Sequence, residues 1–180
     1  MVQGEQMNWY AMRATYGRNM LARTLLEGYG VESFVPMRLV AVRRGRSTRR
    51  QLVPVIRDLI FVRTTPSQIR DVKAKISYLH YITRPEAGRN VPIIVPDEQM
   101  EQFVAVAATY DEGLQYLDPA EVNLKAGQRV RIRGGVFDGR EGCFVRVAGM
   151  RSRRVVVAIE GVIAVAMVTA DIEQLEPLDA

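Results

Sequence analysis

The sequence is poor in the residues that most often build catalytic and metal sites. In 180 residues it contains one cysteine, Cys143, and one histidine, His80. A single cysteine cannot form an intramolecular disulfide or complete a structural zinc site, and we expect neither a metal nor a cofactor. Because no motif pairs Cys143 with His80 as nucleophile and base, we also expect that the protein is not an enzyme.

Signals for export and for nucleotide chemistry are missing as well. The first residues include Glu5 and lack an apolar run of signal-peptide length. The longest apolar stretch, 155–168, is interrupted at Glu160 and is shorter than the roughly 20 residues of a membrane-spanning helix. The glycine-rich segment 131–142 lacks the lysine and hydroxyl of a phosphate-binding loop. These absences predict a cytoplasmic protein with no membrane partner.

Basic residues, most of them arginines, are abundant and unevenly distributed. The net charge is +5, and Lys plus Arg outnumber Asp plus Glu by 15 to 5 in residues 1–84 and by 8 to 2 in 129–154. Acids dominate by 8 to 2 in residues 85–128 and by 5 to 0 in 155–180. Since the flat guanidinium group suits phosphates and carboxylates, this pattern indicates a nucleic-acid or acidic partner, with a merely solvated surface as the alternative.

Hydrophobic periodicity in the first 110 residues predicts strands that alternate with helices. In chain order these elements are strand 8–14, helix 18–30, strand 31–42, an exposed hairpin tip at 43–50, strand 51–65, a helix from Pro66, strand 78–84, turn-rich 85–90, short apolar 91–95 and a helix from Pro96. The expected apolar stripes of the three helices are Leu21, Leu25 and Tyr29, flanked by Ala22 and Leu26; Ile69, Val72 and Ile76; and Met100, Phe103, Val104 and Ala107. This order predicts one antiparallel sheet covered by helices.

The last third of the chain has the pattern of a small all-β domain. Residues 111–123 are acidic, contain Pro119 and follow neither period, which predicts a linker. Short valine-rich strands are then expected at 128–133, 143–147, 154–159 and 162–168. So short a set of strands buries its apolar faces by curling into a small barrel. We therefore predict an α+β protein with domains at 1–110 and 124–180.

Two parts of the sequence resemble a known family. The segment "LKAGQRVRIRGGVFDGREGCFVRV", 124–147, resembles a KOW motif, and "WYAMRATYG" and "FVPMR" resemble the first strands of the NusG N-terminal (NGN) domain. The residues that carry the KOW pattern are Gly127, Val130, Ile132, Gly135, Phe137, Gly139 and Gly142. Over about Asn8 to Pro177 the chain is similar to NusG and its RfaH-like paralogues. The resemblance implies a ferredoxin-like NGN α/β sandwich linked to a small SH3-like KOW barrel.

The resemblance also implies a function in transcription. Family members are elongation or antitermination factors, and we expect a monomer that binds the clamp helices of the large RNA polymerase subunit through 1–110 and recruits a ribosomal protein or Rho through the KOW domain. The implied polymerase-binding residues are Tyr10, Phe34, Ile56, Leu59 and Phe61, with Arg70 and Asp71 on the second helix. The implied contacts to upstream or nontemplate DNA are Arg43, Arg44, Arg46, Arg49 and Arg50.

Departures from the family pattern favour a divergent, RfaH-like paralogue. Arg57 and Asp58 precede Leu59 where the family usually has a proline, a glycine or asparagine, and then an aromatic residue. Asn19 stands where many members have a glutamate. For each apolar residue of the expected patch, the alternative role is sheet core, because neighbours along a strand face opposite sides.

A second function remains open from the sequence. KOW barrels also bind RNA, so the alternative is an RNA-binding or ribosome-associated protein. The residues that motivate it are Arg129, Arg131, Arg133, Arg146, Arg151, Arg153 and Arg154, which are expected to line one side of the barrel.

Overall fold

The computed structural model describes residues 5–168 and 174–178. This part of the chain contains three α-helices and fifteen β-strands. It divides into two compact units, each built from two chain segments. The first unit contains the segment that ends at Pro36 and the segment Pro54–Met100. The second contains Met37–Val53 and the segment that begins at Glu101.

A five-stranded antiparallel sheet lies in the first unit. Its central strand, β1 (Asn8–Ala14), pairs with β5 (Leu59–Thr64) on one side and with β6 (Leu79–Tyr81) and β9 (Ile94–Val95) on the other. β2 (Glu32–Phe34) pairs with β5 and forms an edge of the sheet. Residues Leu59–Val62 are all buried, so both faces of β5 are covered.

Three helices follow the predicted order. They are α1 (Asn19–Gly28), α2 (Pro66–Lys75) and α3 (Asp97–Ala107). α2 begins where predicted because Pro66 has a helical φ by constraint and the hydroxyl of Thr65 accepts a hydrogen bond from the Gln68 backbone N–H. In the described residues, no helix is both long and apolar enough to cross a membrane.

Two hairpins stand apart from the larger sheets. In the second unit, β3 (Met37–Arg44) and β4 (Ser47–Pro54) form a two-stranded sheet. In the first unit, β7 (Thr83–Glu86) and β8 (Arg89–Pro92) form another. The β7–β8 turn has positive φ at both central residues, Ala87 and Gly88, as a tight hairpin turn requires.

The second unit contains a six-stranded antiparallel sheet. Its strands, in spatial order, are β10 (Gln115–Leu117), β14 (Ile163–Met167), β13 (Arg153–Ile159), β12 (Glu141–Arg146), β11 (Gln128–Ile132) and β15 (Leu175–Pro177). Part of its core is a cluster of valines and alanines that includes Val122, Val145 and Val156. The predicted fold class is confirmed: the chain is α+β, with a sheet and helices before an all-β region.

The centre of the predicted apolar stripe of α1 is wrong, whereas its flanking residues Ala22 and Leu26 are buried. Leu21, Leu25 and Tyr29 are 51%, 37% and 42% exposed, whereas the buried residues of the helix are Asn19, Ala22 and Leu26. The helix turns this other face inward because the buried amide of Asn19 finds hydrogen-bond partners there. A row of apolar side chains is therefore left at the surface.

Several element boundaries also differ from the sequence prediction. The strands expected at 31–42 and 51–65 are each split, next to Pro36 and after Pro54, because proline cannot donate to a strand ladder. The segment 85–90, which was expected to be turn-rich, belongs to the β7–β8 hairpin. In α3, Val104 was expected to be in the buried stripe but is half-buried, whereas Val106 is buried. β10 lies inside the expected linker 111–123, and the domain boundaries themselves stay predictions.

Candidate functional site

The turn that precedes β5 is held by a buried asparagine at the start of α1. The side-chain amide Nδ2 of Asn19 donates to the carbonyl oxygens of Ile56 at 3.1 Å and Leu59 at 3.2 Å. Its Oδ1 accepts from the Met20 backbone N–H at 2.9 Å. A glutamate would offer these carbonyls only acceptor oxygens. Asn19, which departs from the family pattern, is therefore matched to this turn.

Glycine at position 17 fixes the same turn from a second side. Gly17 has φ +68°, and a Cβ built on it would lie 2.9 Å from the Cγ of Arg57. The Arg57 side chain therefore crosses the bare Gly17 backbone, and the Ala14 N–H donates to the Asp58 carbonyl at 2.8 Å. With its backbone held in this way, the turn leaves the side chain of Ile56 40% exposed.

The residues predicted to bind polymerase have different environments. Tyr10, Leu59 and Phe61 are buried, the environment of the sheet-core alternative. Phe34, on the edge strand β2, is half-buried, and Ile56 is exposed. In this conformation, therefore, only Phe34 and Ile56 of the five present surface to a partner, and the binding role of all five stays a prediction.

The described residues concentrate their exposed apolar surface near α1. Of eleven exposed large apolar side chains, five belong to what we call the α1 apolar surface: Tyr16, Met20, Leu21, Leu25 and Tyr29. Tyr16 is 83% exposed at a positive φ of 63°, which is uncommon for an aromatic residue. Sequence reasoning missed this surface, because its spacing resembles a core-facing stripe. The buried polar residue Asn19 is the feature that distinguishes the inward face of α1 from the exposed one.

Predicted charged contacts on α2 are at the surface. Arg70 and Asp71 are both exposed, on consecutive positions of the helix. The free Cys143 is half-buried in β12, and His80 is exposed in β6.

The predicted DNA-contacting arginines are all exposed on the β3–β4 hairpin. Arg43 and Arg44 end β3, Arg46 is in the turn, and Arg49 and Arg50 belong to β4. Arg50 pairs with Glu112, with 2.8 Å between Nη1 and Oε1. Among the described residues, no carboxylate lies within ion-pair distance of the other four, which we call the hairpin tract: Arg43, Arg44, Arg46 and Arg49.

The arginines of β11 and its extension are instead paired with acids. Arg131 donates from Nε to Glu141 at 3.0 Å, and Arg129 lies 3.3 Å from the same carboxylate. Arg133 donates from Nε to Glu176 at 2.7 Å. The hydrogen bond and charge of Glu141 raise the pKa of Arg131. Three of the seven arginines of the predicted RNA-binding cluster are therefore ion-paired within the sheet, where they share two carboxylates.

The residues of the predicted KOW motif form the scaffold of the second unit. Val130, Ile132 and Phe137 are buried, and Gly135 and Gly139 have positive φ. A Cβ at Gly142 would lie 2.8 Å from the Val156 carbonyl oxygen, and one at Gly127 would overlap Val145. These glycines allow tight turns and close approach of the backbone.

A family model described as transcription termination factor NusG matches residues 7–104. No curated protein matches the chain. Among solved structures, one described as "Domain interaction in Thermotoga maritima NusG" is 21% identical, covers 97% of this chain and 98% of its own, and has a TM-score of 0.45. Because the family model matches more than half of the 180 residues, the chain belongs to the NusG family of transcription factors.

Proposed function

We propose that this protein is a transcription elongation or antitermination factor that binds RNA polymerase through its N-terminal domain, 1–110, and a second partner through its KOW domain. The observation that carries the proposal is the family match over residues 7–104. NusG-family factors bind RNA polymerase, and the matched range includes the turn that exposes Ile56. The RfaH-like, specialised character remains part of the proposal.

The polymerase-binding surface is centred on Ile56, with Phe34 as a further member. Asn19 connects this turn to the start of α1, where the α1 apolar surface begins. Apolar side chains of this kind suit the helical tip of the polymerase clamp, and burial of one is worth about 1.5–3 kcal/mol before the cost of association. Because hydrogen bonds already hold the turn, little ordering is needed on binding.

The charged residues have separate roles in this proposal. Arg70 and Asp71 meet the gate loop of the other large polymerase subunit from the exposed side of α2. The hairpin tract and Arg50 neutralise phosphates of upstream or nontemplate DNA. Each phosphate contact contributes about 0.9 to the slope of log affinity against log salt concentration on duplex DNA.

The second partner is recruited by the KOW domain, proposed at 124–180 after a linker at 111–123. A ribosomal protein and Rho are the two candidates that the resemblance implies. Within the linker, β10 pairs with β14, so residues 115–117 move with the KOW sheet. Val122 of the same segment is buried in the core of that sheet.

Retention of RNA polymerase by the immobilised full chain tests the proposal. Ile56→Asp places a charge on the exposed turn and is expected to lower retention at least about tenfold, the equivalent of one lost apolar contact. Val136→Asp is the matched control, because Val136 is also exposed but belongs to the second unit. Equal urea midpoints show that both variants fold. Unchanged retention in Ile56→Asp would exclude the surface around Ile56 as the polymerase-binding site. Recovery of ribosomal RNA without polymerase would favour the RNA-binding alternative.

A further inference from the structure

The α1 apolar surface contains a continuous row of side chains. Leu21, Leu25 and Tyr29 follow one another at every fourth position, so they lie along one side of the helix and its C-cap. All three are exposed. Single exposed apolar side chains are common on protein surfaces, whereas contiguous ones mark interaction sites. The row is therefore suited to a partner that covers it along its length.

The turn that precedes α1 holds a further ring outward on a strained backbone. Tyr16 is 83% exposed at φ 63°, and Gly17 follows it at φ 68°. An aromatic residue in the left-handed region is strained, and such strain is concentrated at functional sites. Tyrosine is also among the residues that contribute most to binding at protein interfaces. Tyr16 therefore places an aromatic anchor at the N-terminal end of the row.

A cation held against an aromatic ring lies at each end of the row. At the N-terminal end, the guanidinium carbon of Arg18 is 3.9 Å from the centroid of the Tyr78 ring, and its Nε donates to the Thr15 carbonyl at 3.0 Å. At the C-terminal end, the Nζ of Lys75 is 4.8 Å from the centroid of the Tyr29 ring. In the part of the chain that the structure describes, no carboxylate lies within ion-pair distance of Arg18 or Lys75. Both ends of the row are therefore positive.

The positive ends decide which partner fits the row. If α1 of a second copy lay along it, in either direction, cations would face cations, which opposes association. A nucleic-acid strand would pair with the cations and leave Leu21 and Leu25 uncovered. The single acid of α1, Glu27, is two residues after Leu25 and therefore lies on another side of the helix. An amphipathic helix with an acid near each end covers the leucines and pairs with both cations.

We propose that the α1 apolar surface binds an acidic amphipathic helix of a partner protein. The partner helix lies along α1, covers the leucines with its own apolar side, and brings one acid to Arg18 and another to Lys75. From Arg18 to Tyr29 the row is roughly 16 Å long, at about 1.5 Å per residue, so the two acids are about three turns apart. The site goes beyond the proposed function, because it uses the length of α1 and not the turn at Ile56.

Binding of two synthetic peptides to the full chain, followed by fluorescence anisotropy, tests the site. One is a labelled helical peptide of about 18 residues with leucines along one side and glutamates near both ends, and the other has lysines in place of the glutamates. The unchanged protein is expected to bind the acidic peptide at least about tenfold more tightly than the basic one.

A pair of leucine substitutions tests the apolar part of the row. Leu21→Ser with Leu25→Ser is expected to weaken binding of the acidic peptide at least about tenfold. Leu52→Ser with Val136→Ser is the matched control, because both residues are exposed and belong to the second unit, and it is expected to bind as the unchanged protein does. Equal urea midpoints show that both variants fold. Retention of RNA polymerase by the leucine variant is expected to stay the same, which separates this site from the Ile56 surface.

A charge reversal tests the positive end beside Tyr29. Lys75→Glu is expected to lower the preference for the acidic over the basic peptide about tenfold, whereas Lys125→Glu, at an exposed lysine of the second unit, is expected to change it little. The proposal is overturned if the unchanged protein binds both peptides equally or binds neither, or if the leucine variant keeps full affinity for the acidic peptide. A dimer of the unchanged protein that the leucine variant abolishes would assign the row to a second copy and overturn it as well.

Discussion

The β3–β4 hairpin and the β11–β12 pair are both antiparallel, and arginine is the commonest charged residue in each. In the hairpin, the tract arginines are exposed and have no acidic partner among the described residues, and β4 is exposed from Ser47 to Leu52. In the second pair, Arg129 and Arg131 share the carboxylate of Glu141, and Val130, Ile132 and Val145 are buried.

This difference shows that the number of arginines does not by itself indicate a binding site. What matters is whether the fold places an acid beside each one, and whether apolar burial makes the strand pair stable without a ligand. The β3–β4 hairpin therefore presents charge, whereas the arginines of β11 help to hold a sheet together.

The largest expected effect separates the two regions by stability. Ile132→Ala removes buried atoms from β11 and is expected to cost about 2–5 kcal/mol of the free energy of unfolding. Leu52→Ala on the exposed β4 is expected to cost less than about 1 kcal/mol. Urea unfolding followed by circular dichroism measures both. A comparable loss in Leu52→Ala would show that the hairpin has a core of its own.

The second effect separates the regions by their affinity for duplex DNA. Replacement of all four hairpin-tract arginines by serine is expected to reduce the salt slope by about 3.6, because each phosphate contact contributes about 0.9. The urea midpoint is expected to stay the same, since these side chains support no described ion pair. The matched control, Arg129→Ser with Arg133→Ser, is expected to lower the midpoint and leave the slope nearly unchanged. The comparison would be contradicted if the hairpin-tract variant lost stability with an unchanged salt slope while the Arg129→Ser, Arg133→Ser variant lost salt slope with an unchanged urea midpoint.

The contrast between Leu25 and Leu26 shows how much the sequence predicts. Periodicity gave the helices, most strands and the fold class, because these depend on short-range patterns of burial. It placed Leu26 at the flank of the α1 stripe and Leu25 at its centre, because two apolar rows fit the helix equally well and the choice depends on hydrogen bonds from Asn19 to residues about forty positions away. The β7–β8 hairpin was missed for a local reason, because alanine at position 87 rarely adopts positive φ.

The candidate site was predictable in part for similar reasons. The exposed arginines of the hairpin follow from composition between two apolar segments. The burial of Tyr10, Leu59 and Phe61 does not follow from the sequence. A strand covered on one face and a strand covered on both faces have the same pattern when every residue is apolar. The ion pairs could not be predicted from the sequence either, since Arg133 and Glu176 are distant in sequence and meet only through the pairing of β11 with β15.

A single substitution should make β11 behave more like the hairpin. Glu141→Gln preserves shape but removes the single negative charge that Arg129 and Arg131 share. If both guanidinium groups then reach phosphates, the salt slope for duplex DNA increases by up to about 1.8. The melting temperature is expected to fall, because two hydrogen-bonded ion pairs are weakened. A lower melting temperature without any gain in DNA binding would show that β11 is unsuited to phosphate contact for reasons of shape.

The smallest effect concerns Arg50, the one arginine of the hairpin with an acidic partner among the residues that the structure describes. Glu112→Gln releases Arg50 and is expected to increase the slope for duplex DNA by about 0.9, one phosphate contact. The change in stability should remain within about 1 kcal/mol, because both side chains of this ion pair are largely exposed. The matched control is Glu86→Gln, which releases Arg84 from a similar exposed pair on the β7–β8 hairpin. Because Arg50 adjoins the tract and Arg84 does not, equal slopes in the two variants would mean that DNA responds to net charge and not to the position of the arginines.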